Sequence, residues 1–213
     1  MDINNCIFSG RVEWSKERRV GNYNFGNIST RIGLPKFQFD FNGELRIIDS
    51  PNIWCNIKVS YDNNGLLKQH QQILDKCSEE PYAIISSGKI TDYEVKAKDN
   101  DGKIIEGAPM ERRHNLEIGS RDISFSSTPI RDINQCTFTG YVDEYRSNGS
   151  MLIKCSYRAK DQIKYRRIPV IWDSPFDNSF NSSRVLVLGA VCGKTPARES
   201  KIYVVANQIL KIP

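Results

Sequence analysis

The chain has 213 residues, of which 39% are hydrophobic and 26% charged, a composition typical of folded globular proteins. It has no run of about 18 or more apolar residues and opens without a basic segment and a long apolar stretch, so we expect neither a membrane-spanning helix nor secretion. Its net charge of +5 is uneven: residues 1–130 carry 17 Lys and Arg against 18 Asp and Glu, and residues 131–213 carry 13 against 7.

The first half of the chain carries five strand-like runs in which apolar and polar residues alternate. In the first run, Ile3, Phe8 and Val12 are candidate core positions, and Gly10 predicts a bulge or a barrel corner. The five runs are residues 2–12, 37–41, 53–61, 82–89 and 115–125.

One segment of the first half has helical periodicity. Over residues 65–77 the apolar side chains recur at helical spacing, which predicts a helix between the third and fourth strands, with His70 as a partly buried helix residue rather than a catalyst. Insertions are expected at residues 15–50 and 93–114. The second insertion has a hairpin tip at residues 101–102, an Asp-Gly pair.

After a polar linker at residues 126–129, the second half offers five further strands. These are residues 132–142, 151–157, 165–172, 185–194 and 201–210. The place that corresponds to the helix, residues 173–183, is rich in turn formers, so a helix there is short or absent.

The two halves repeat one unit. Residues 2–12 and 132–142 are identical at seven of eleven positions, at a constant spacing of 130. Both halves also carry an apolar strand that ends in Gly-Lys, at residues 88–89 and 193–194. Five strands with a helix between the third and fourth is the plan of the OB-fold. We therefore predict an all-β chain with one short helix, arranged as two tandem five-stranded OB-fold barrels over residues 1–128 (with insertions) and 129–213.

These motifs, in this order, resemble the bacterial- and phage-type single-stranded DNA-binding proteins (SSB), in duplicate. The first strand of that family resembles residues 6–12 and 136–142, although Tyr141 stands where the family has Arg. Its third, fourth and fifth strands resemble residues 167–172, 190–194 and 202–210. The sequence ends at Pro213 directly after the last strand, without the acidic tail usual in the bacterial members, so we expect no recruitment of partners through such a tail and a divergent member of phage or plasmid type.

The resemblance implies sequence-tolerant binding of single-stranded DNA in replication, recombination or repair, in the cytoplasm of a bacterial host or on its nucleoid. It implies replication or recombination proteins as further partners, and it allows a homodimer. Six cysteines without a CxxC pair, and two histidines, predict reduced core thiols and no metal. We see no catalytic pattern, so we predict neither an enzyme nor a cofactor. An OB-fold adaptor for proteins, or an RNA-binding module, stays open as an alternative.

A sequence-tolerant binder needs aromatic rings for bases and cations for phosphates. The densest basic and aromatic cluster spans residues 154–167, and a solvated hairpin is its alternative. Trp54 and Tyr61 match Tyr165 and Trp172 by position, and either member of a pair could be core. For the alternating rings of residues 37–41, core packing and base stacking both stay open. The candidate DNA-binding residues are Arg11, Trp14, Arg18, Arg19, Lys36, Phe37, Phe39, Trp54, Lys58, Tyr61, Lys89, Tyr93, Lys96, Tyr141, Lys154, Tyr157, Arg158, Lys164, Tyr165, Arg166, Arg167, Trp172 and Lys194.

Overall fold

The fold is taken from a computed structural model of the chain. It describes residues 1–13, 27–39, 42, 44–48, 54–77, 81–97, 99, 101–131, 133–145, 150–173, 178–194 and 201–213, without the side chains at positions 27, 29, 54, 56, 58, 178, 194 and 201. This part of the chain forms thirteen strands and one α-helix, which confirms the predicted all-β class with one helix. None of its helices is long and apolar enough to cross a bilayer.

The elements of the first half follow one another closely. They are β1 (Asn4–Glu13), β2 (Asn27–Gly33), β3 (Lys36–Phe39), β4 (Leu45–Ile48), β5 (Trp54–Ser60), α1 (Asn64–Lys76), β6 (Tyr82–Val95), β7 (Glu111–Gly119) and β8 (Ile123–Ser126). The second half has five strands, namely β9 (Asn134–Tyr145), β10 (Ser150–Ala159), β11 (Gln162–Ile171), β12 (Arg184–Lys194) and β13 (Lys201–Lys211).

Strand pairing closes two rings of five strands. The first ring has the order β1-β2-β5-β7-β6 and closes between β6 and β1, and the second has the order β9-β10-β11-β13-β12 and closes between β12 and β9. The third and fifth strands of each ring, β5 with β7 and β11 with β13, pair in parallel. Closure removes the free edges that an open sheet of this size would expose. The domain boundary near residue 128 stays a prediction.

The two rings are joined by antiparallel pairing of β1 with β9 about a pseudo-two-fold axis. Cys6 lies opposite Cys136, and Asn4 lies opposite Phe138 just as Phe8 lies opposite Asn134. Residues of the two repeats correspond at an offset of 130, so these two pairs are equivalent. The edge of β1 that contacts β9 is therefore the same edge that β9 turns to β1. The two cysteine Sγ atoms are 3.0 Å apart at the axis, and all six cysteines are free.

Two asparagines make mirrored hydrogen bonds beside this junction. The Asn4 side chain donates to the Ile90 carbonyl at 2.8 Å and accepts from the Ile90 N–H at 3.1 Å. Asn134 does the same with the carbonyl and N–H of Val191, both at 2.7 Å. The last main-chain pair between the first and fourth strands is Cys6 with Gly88 in the first ring and Cys136 with Gly189 in the second. Each asparagine side chain continues that ladder by one further pair of hydrogen bonds.

The repeated glycine of the first strand is required by a close strand crossing. A Cβ added at Gly140 would lie 2.6 Å from the Lys154 carbonyl oxygen, and one added at Gly10 would lie 3.1 Å from the Gly33 carbonyl oxygen. At Gly140 the neighbouring strand leaves no room for a side chain, and at Gly10 the contact with the neighbouring strand is tight while the Phe8 ring lies only 2.8 Å from the added Cβ.

The prediction that residues 37–41 form the second strand of the first barrel is wrong. That place belongs to β2, which lies inside the predicted insertion at residues 15–50. β3 and β4 instead form a hairpin whose Lys36 pairs with Gly193 of the second ring. The reason is apolar packing, because Phe37 is buried against the second ring and meets the Tyr203 ring edge-on at 5.3 Å.

Other predicted correspondences between the halves are displaced. The predicted last strand, residues 115–125, is two strands, because a turn after Gly119 separates β7 from β8. Gly88 pairs with Cys6 as Gly189 pairs with Cys136, so Gly88-Lys89 does not match Gly193-Lys194. Val59 pairs with Ile118, the partner of Gly88, whereas Ile171 pairs with Val205, next to Ala206, the partner of Gly189. These ladders align β5 with β11 at an offset of 113, so Trp54 corresponds to Arg167 and not to Tyr165.

Candidate nucleic-acid interface

Three neighbouring strands of the second ring bring basic and aromatic side chains to one outer face. Alternation along β9, β10 and β11 buries Phe138, Ile153 and Ile168, so the residues between them point outward. Lys154 pairs with Tyr141 of β9 on one side and with Arg167 of β11 on the other, which forms a row across the three strands. Tyr165 lies on the same face, two residues before the β11 member. We name these four residues, Tyr141, Lys154, Tyr165 and Arg167, the outer-face patch.

The two tyrosine side chains of the outer-face patch are exposed to solvent. Tyr141 is 48% exposed and Tyr165 is 53% exposed. The Lys154 ammonium lies 4.4 Å from the centroid of the Tyr165 ring, a cation–π contact that fixes the ring next to a positive charge. Arg167 donates from Nε to the Asp143 carboxylate at 2.6 Å, and this hydrogen bond raises the pKa of the guanidinium.

The patch combines the two kinds of contact that unpaired nucleotides require. An exposed ring next to a cation offers a flat surface for a base and a charge for the adjoining phosphate. In the described residues the Lys154 ammonium has no carboxylate within 4 Å, whereas Arg167 shares its charge with Asp143. Asp143 is not among the predicted site residues, although its position two residues after Tyr141 on an alternating strand places it on the same face.

The opposite face of the β10–β11 hairpin contacts the first ring. Arg166 donates to the Glu117 carboxylate at 3.1 Å, and its guanidinium stacks on the Tyr157 ring at 4.1 Å from the centroid. His114 donates from Nε2 to the Arg167 carbonyl at 2.9 Å. Burial lowers the pKa of this histidine, against smaller opposing effects of that hydrogen bond and of a nearby carboxylate. The hairpin is therefore held by the first ring.

Burial leaves no ring face for a base at two of the predicted DNA contacts and half-covers a third. Tyr61 is 5% exposed and its hydroxyl hydrogen-bonds to Nδ1 of His70 at 2.7 Å, so no ring face is left for a base. Phe37 is 3% exposed because it packs against the second ring, where it meets Tyr203. Trp172 is half-buried, and its ring meets Phe180 edge-on at 5.6 Å, where it packs against the core. His70 lies on α1 as predicted, but at 5% exposure it is more deeply buried than the partial burial expected.

The remaining predicted residues are dispersed. Arg11 donates from Nε to the Tyr82 hydroxyl at 3.2 Å on the first ring, and Phe39 is 45% exposed on the β3–β4 hairpin. Exposed or half-buried positions outside the patch are also held by Lys36, Lys89, Tyr93, Lys96, Arg158 and Lys164. The predictions that lie outside the described residues or side chains are Trp14, Arg18, Arg19, Trp54, Lys58 and Lys194.

Comparison with known proteins gives a likeness of fold. No protein-family model matches the chain, and no curated protein does. Among solved structures, a deletion mutant of the single-stranded DNA binding protein from Thermus aquaticus has a TM-score of 0.58 at 10% identity, over 100% of this chain and 95% of that chain. The wild-type form of that protein has a TM-score of 0.54 at 11% identity, over 100% and 94% of the two chains. The chain shares its fold with these proteins.

Proposed function

We propose that the chain binds single-stranded DNA without strong sequence preference, through the outer-face patch of its second ring. The observation that carries the proposal is the row of Tyr141, Lys154 and Arg167 across three strands, with the exposed Tyr165 ring held beside the lysine. In this arrangement the two tyrosines stack on bases while the cations contact phosphates. The charge distribution supports it, because residues 131–213 carry a net charge of +6.

The proposal extends to the role of the chain. We infer two OB-fold units that coat exposed single strands in replication, recombination or repair, without catalysing a reaction themselves. Support comes from the two closed rings and from the fold shared with the single-stranded DNA binding protein from Thermus aquaticus. The divergent phage or plasmid type, and a homodimer in solution, belong to the same hypothesis.

The test is an anisotropy titration of labelled oligo-dT, duplex DNA and RNA at several salt concentrations. We expect the unpaired DNA to bind best, with log K falling by about 0.7 per log salt for each phosphate contacted. Replacing Lys154 by Gln should weaken binding and flatten that slope by about 0.7.

A matched pair of variants separates stacking from general apolar contact. Tyr165→Leu keeps apolar bulk but loses the ring, and should weaken binding by about 5- to 150-fold, which corresponds to about 1–3 kcal/mol for one stacked base. Tyr165→Phe keeps the ring and should bind within about twofold of the native chain. If the leucine variant binds as well as the phenylalanine variant, the patch is not the binding face. If no oligonucleotide binds at low salt, the chain is not a nucleic-acid binder and the adaptor alternative takes its place.

A further inference from the structure

A cleft of about 450 Å³ lies where the β10–β11 hairpin of the second ring meets the first ring. The hairpin contributes Ser156, Arg158 and Arg166 to its walls. Lys89 of β6 and Glu117 of β7 contribute from the first ring. The cleft is therefore built by both rings, and anything that occupies it contacts both.

Some of the charges in this cleft are already neutralised. Arg166 is paired with Glu117 at 3.1 Å and is mostly buried, so that its charge is shared with the carboxylate. The same guanidinium lies on the Tyr157 ring, which fixes its position. This trio forms a rigid wall and leaves no net charge there.

The second carboxylate of the cleft, that of Asp2, is saturated with donors. It accepts from the N–H and hydroxyl of Ser156 at 2.8 and 2.7 Å, from Thr139 at 3.1 Å and from Arg184 at 3.1 Å. Burial raises the pKa of Asp2, but these hydrogen bonds outweigh it and hold the pKa below its ordinary value of 3.8. The Asp2 carboxylate is therefore held at the edge of β10 by Ser156, and Arg184 balances its charge.

Two cations of the cleft remain uncompensated. Lys89 and Arg158 are both exposed, and within the described residues neither has a carboxylate within 4 Å. With the other charges paired, the cleft carries an excess of about two positive charges. An open cleft of this kind attracts a linear polyanion, because each phosphate that it neutralises releases a counterion.

Arg158 links the cleft, whose wall residues Tyr157 and Arg166 lie on the opposite face of the hairpin, to the outer-face patch. Arg158 lies four residues beyond Lys154 on the same face of β10, which is about 13 Å along the strand. Lys89 stands across the cleft on β6 of the first ring, and Tyr93, four residues further along that strand, is 41% exposed. Cations and aromatic side chains thus form a line from the second five-stranded ring to the first.

We propose that this cleft is the crossing point for single-stranded DNA, where the sugar–phosphate backbone passes from the outer-face patch onto the first ring. Arg158 and Lys89 contact successive stretches of backbone on the two sides of the cleft. The inference rests on the proposed function, because it assumes that the outer-face patch holds the other end of the strand. It adds a second contact region, which only a strand long enough to span both rings can reach.

The experiment compares two labelled oligo-dT probes against Lys89→Gln. Because a single OB-fold occupies about 4–16 nucleotides, a probe of about 8 fits the patch alone and one of about 35 spans both rings. Lys68→Gln is the matched control, since Lys68 is an exposed lysine on α1, outside the cleft. Circular dichroism verifies that each variant melts as the native chain does.

For Lys89→Gln we expect the long probe to bind about threefold to tenfold more weakly, with its salt slope reduced by about 0.7, and the short probe to bind as before. Lys68→Gln should leave both probes unchanged. Equal losses on the two probes, or an unchanged long probe, overturn the crossing point while short-probe binding keeps the proposed function intact. Failure of the native chain to bind either probe overturns both proposals.

Discussion

The mirrored asparagines of the ring junction allow a sharp test of its symmetry. Replacing Asn134 by Ala removes the donor and the acceptor that serve the Val191 main chain, and Val191 is 0% exposed. A buried main-chain group left without a partner costs about 1–3 kcal/mol. Two such groups are affected, so we expect the free energy of unfolding to fall by about 2–6 kcal/mol.

Asn4→Ala should cost the same amount, because Ile90 is equally buried and is held by the same two hydrogen bonds. The two asparagines lie four residues apart along the paired strands, roughly 14 Å. At that separation two substitutions add within about 0.5 kcal/mol, so the double variant should lose the sum of the two.

Equilibrium unfolding in urea, followed by far-ultraviolet circular dichroism, measures these losses. Gln135→Ala is the control, since this exposed neighbour of Asn134 on β9 should change the free energy of unfolding by less than about 0.5 kcal/mol. A loss below 0.5 kcal/mol for Asn134→Ala, or a large loss in one ring and none in the other, would refute the idea that these side chains complete the ladders.

Three further predictions concern stability. Gly140→Ala should lower the free energy of unfolding by about 1–3 kcal/mol, because its Cβ would lie 2.6 Å from a carbonyl oxygen of β10. Urea unfolding measures this loss, and a neutral result would contradict the close approach of the two strands. Asp2→Asn should cost about 1–2 kcal/mol at neutral pH. Because the pKa of Asp2 is depressed in the fold, its contribution is present above 3.8 and is lost as pH falls through the folded pKa, so urea titrations of the two proteins should converge in acid. Tyr61→Phe should cost about 1 kcal/mol in thermal melting, since it leaves Nδ1 of the buried His70 unpaired; an unchanged melt would show that water replaces the hydroxyl.

The sequence predicts the fold class because repetition and alternation are properties of the chain itself. Gly10 and Gly140, and the apolar residues around them, recur because each ring needs the same close crossing and the same core face. The helix over residues 65–77 was equally visible, since its buried positions follow a period of 3.6 and α1 indeed covers Asn64–Lys76.

What the sequence does not predict depends on partners distant in the chain. β2 carries the alternation of a strand, with Ile28, Thr30 and Ile32 buried at every second position, but this pattern does not tell which strands it joins, and pairing with β1 and β5 decides that. The β3–β4 hairpin pairs with β12, more than a hundred residues away. Register shifts within the ladders, such as the one between Cys6 and Phe8, displace equivalent residues by one position, and the Gly-Lys pairs recur at places four residues apart in the two ladders, so similar letters there do not mark equivalent positions.

A junction about a two-fold axis constrains some positions of the repeat and leaves others free. Cys6 and Cys136 meet at the axis, where a change in one half must suit the other, and Asn4 and Asn134 lie beside it on the paired strands. Position 11 and its counterpart 141 point away from it, and there the halves differ, Arg against Tyr. The net charges of −1 for residues 1–130 and +6 for residues 131–213 differ in the same way. Because the junction is fixed and the outer faces differ, we expect the two rings to contribute unequally to DNA binding. The second ring should supply most of the affinity for a short oligonucleotide, and the first ring should contribute only when the DNA is long enough to cross the cleft.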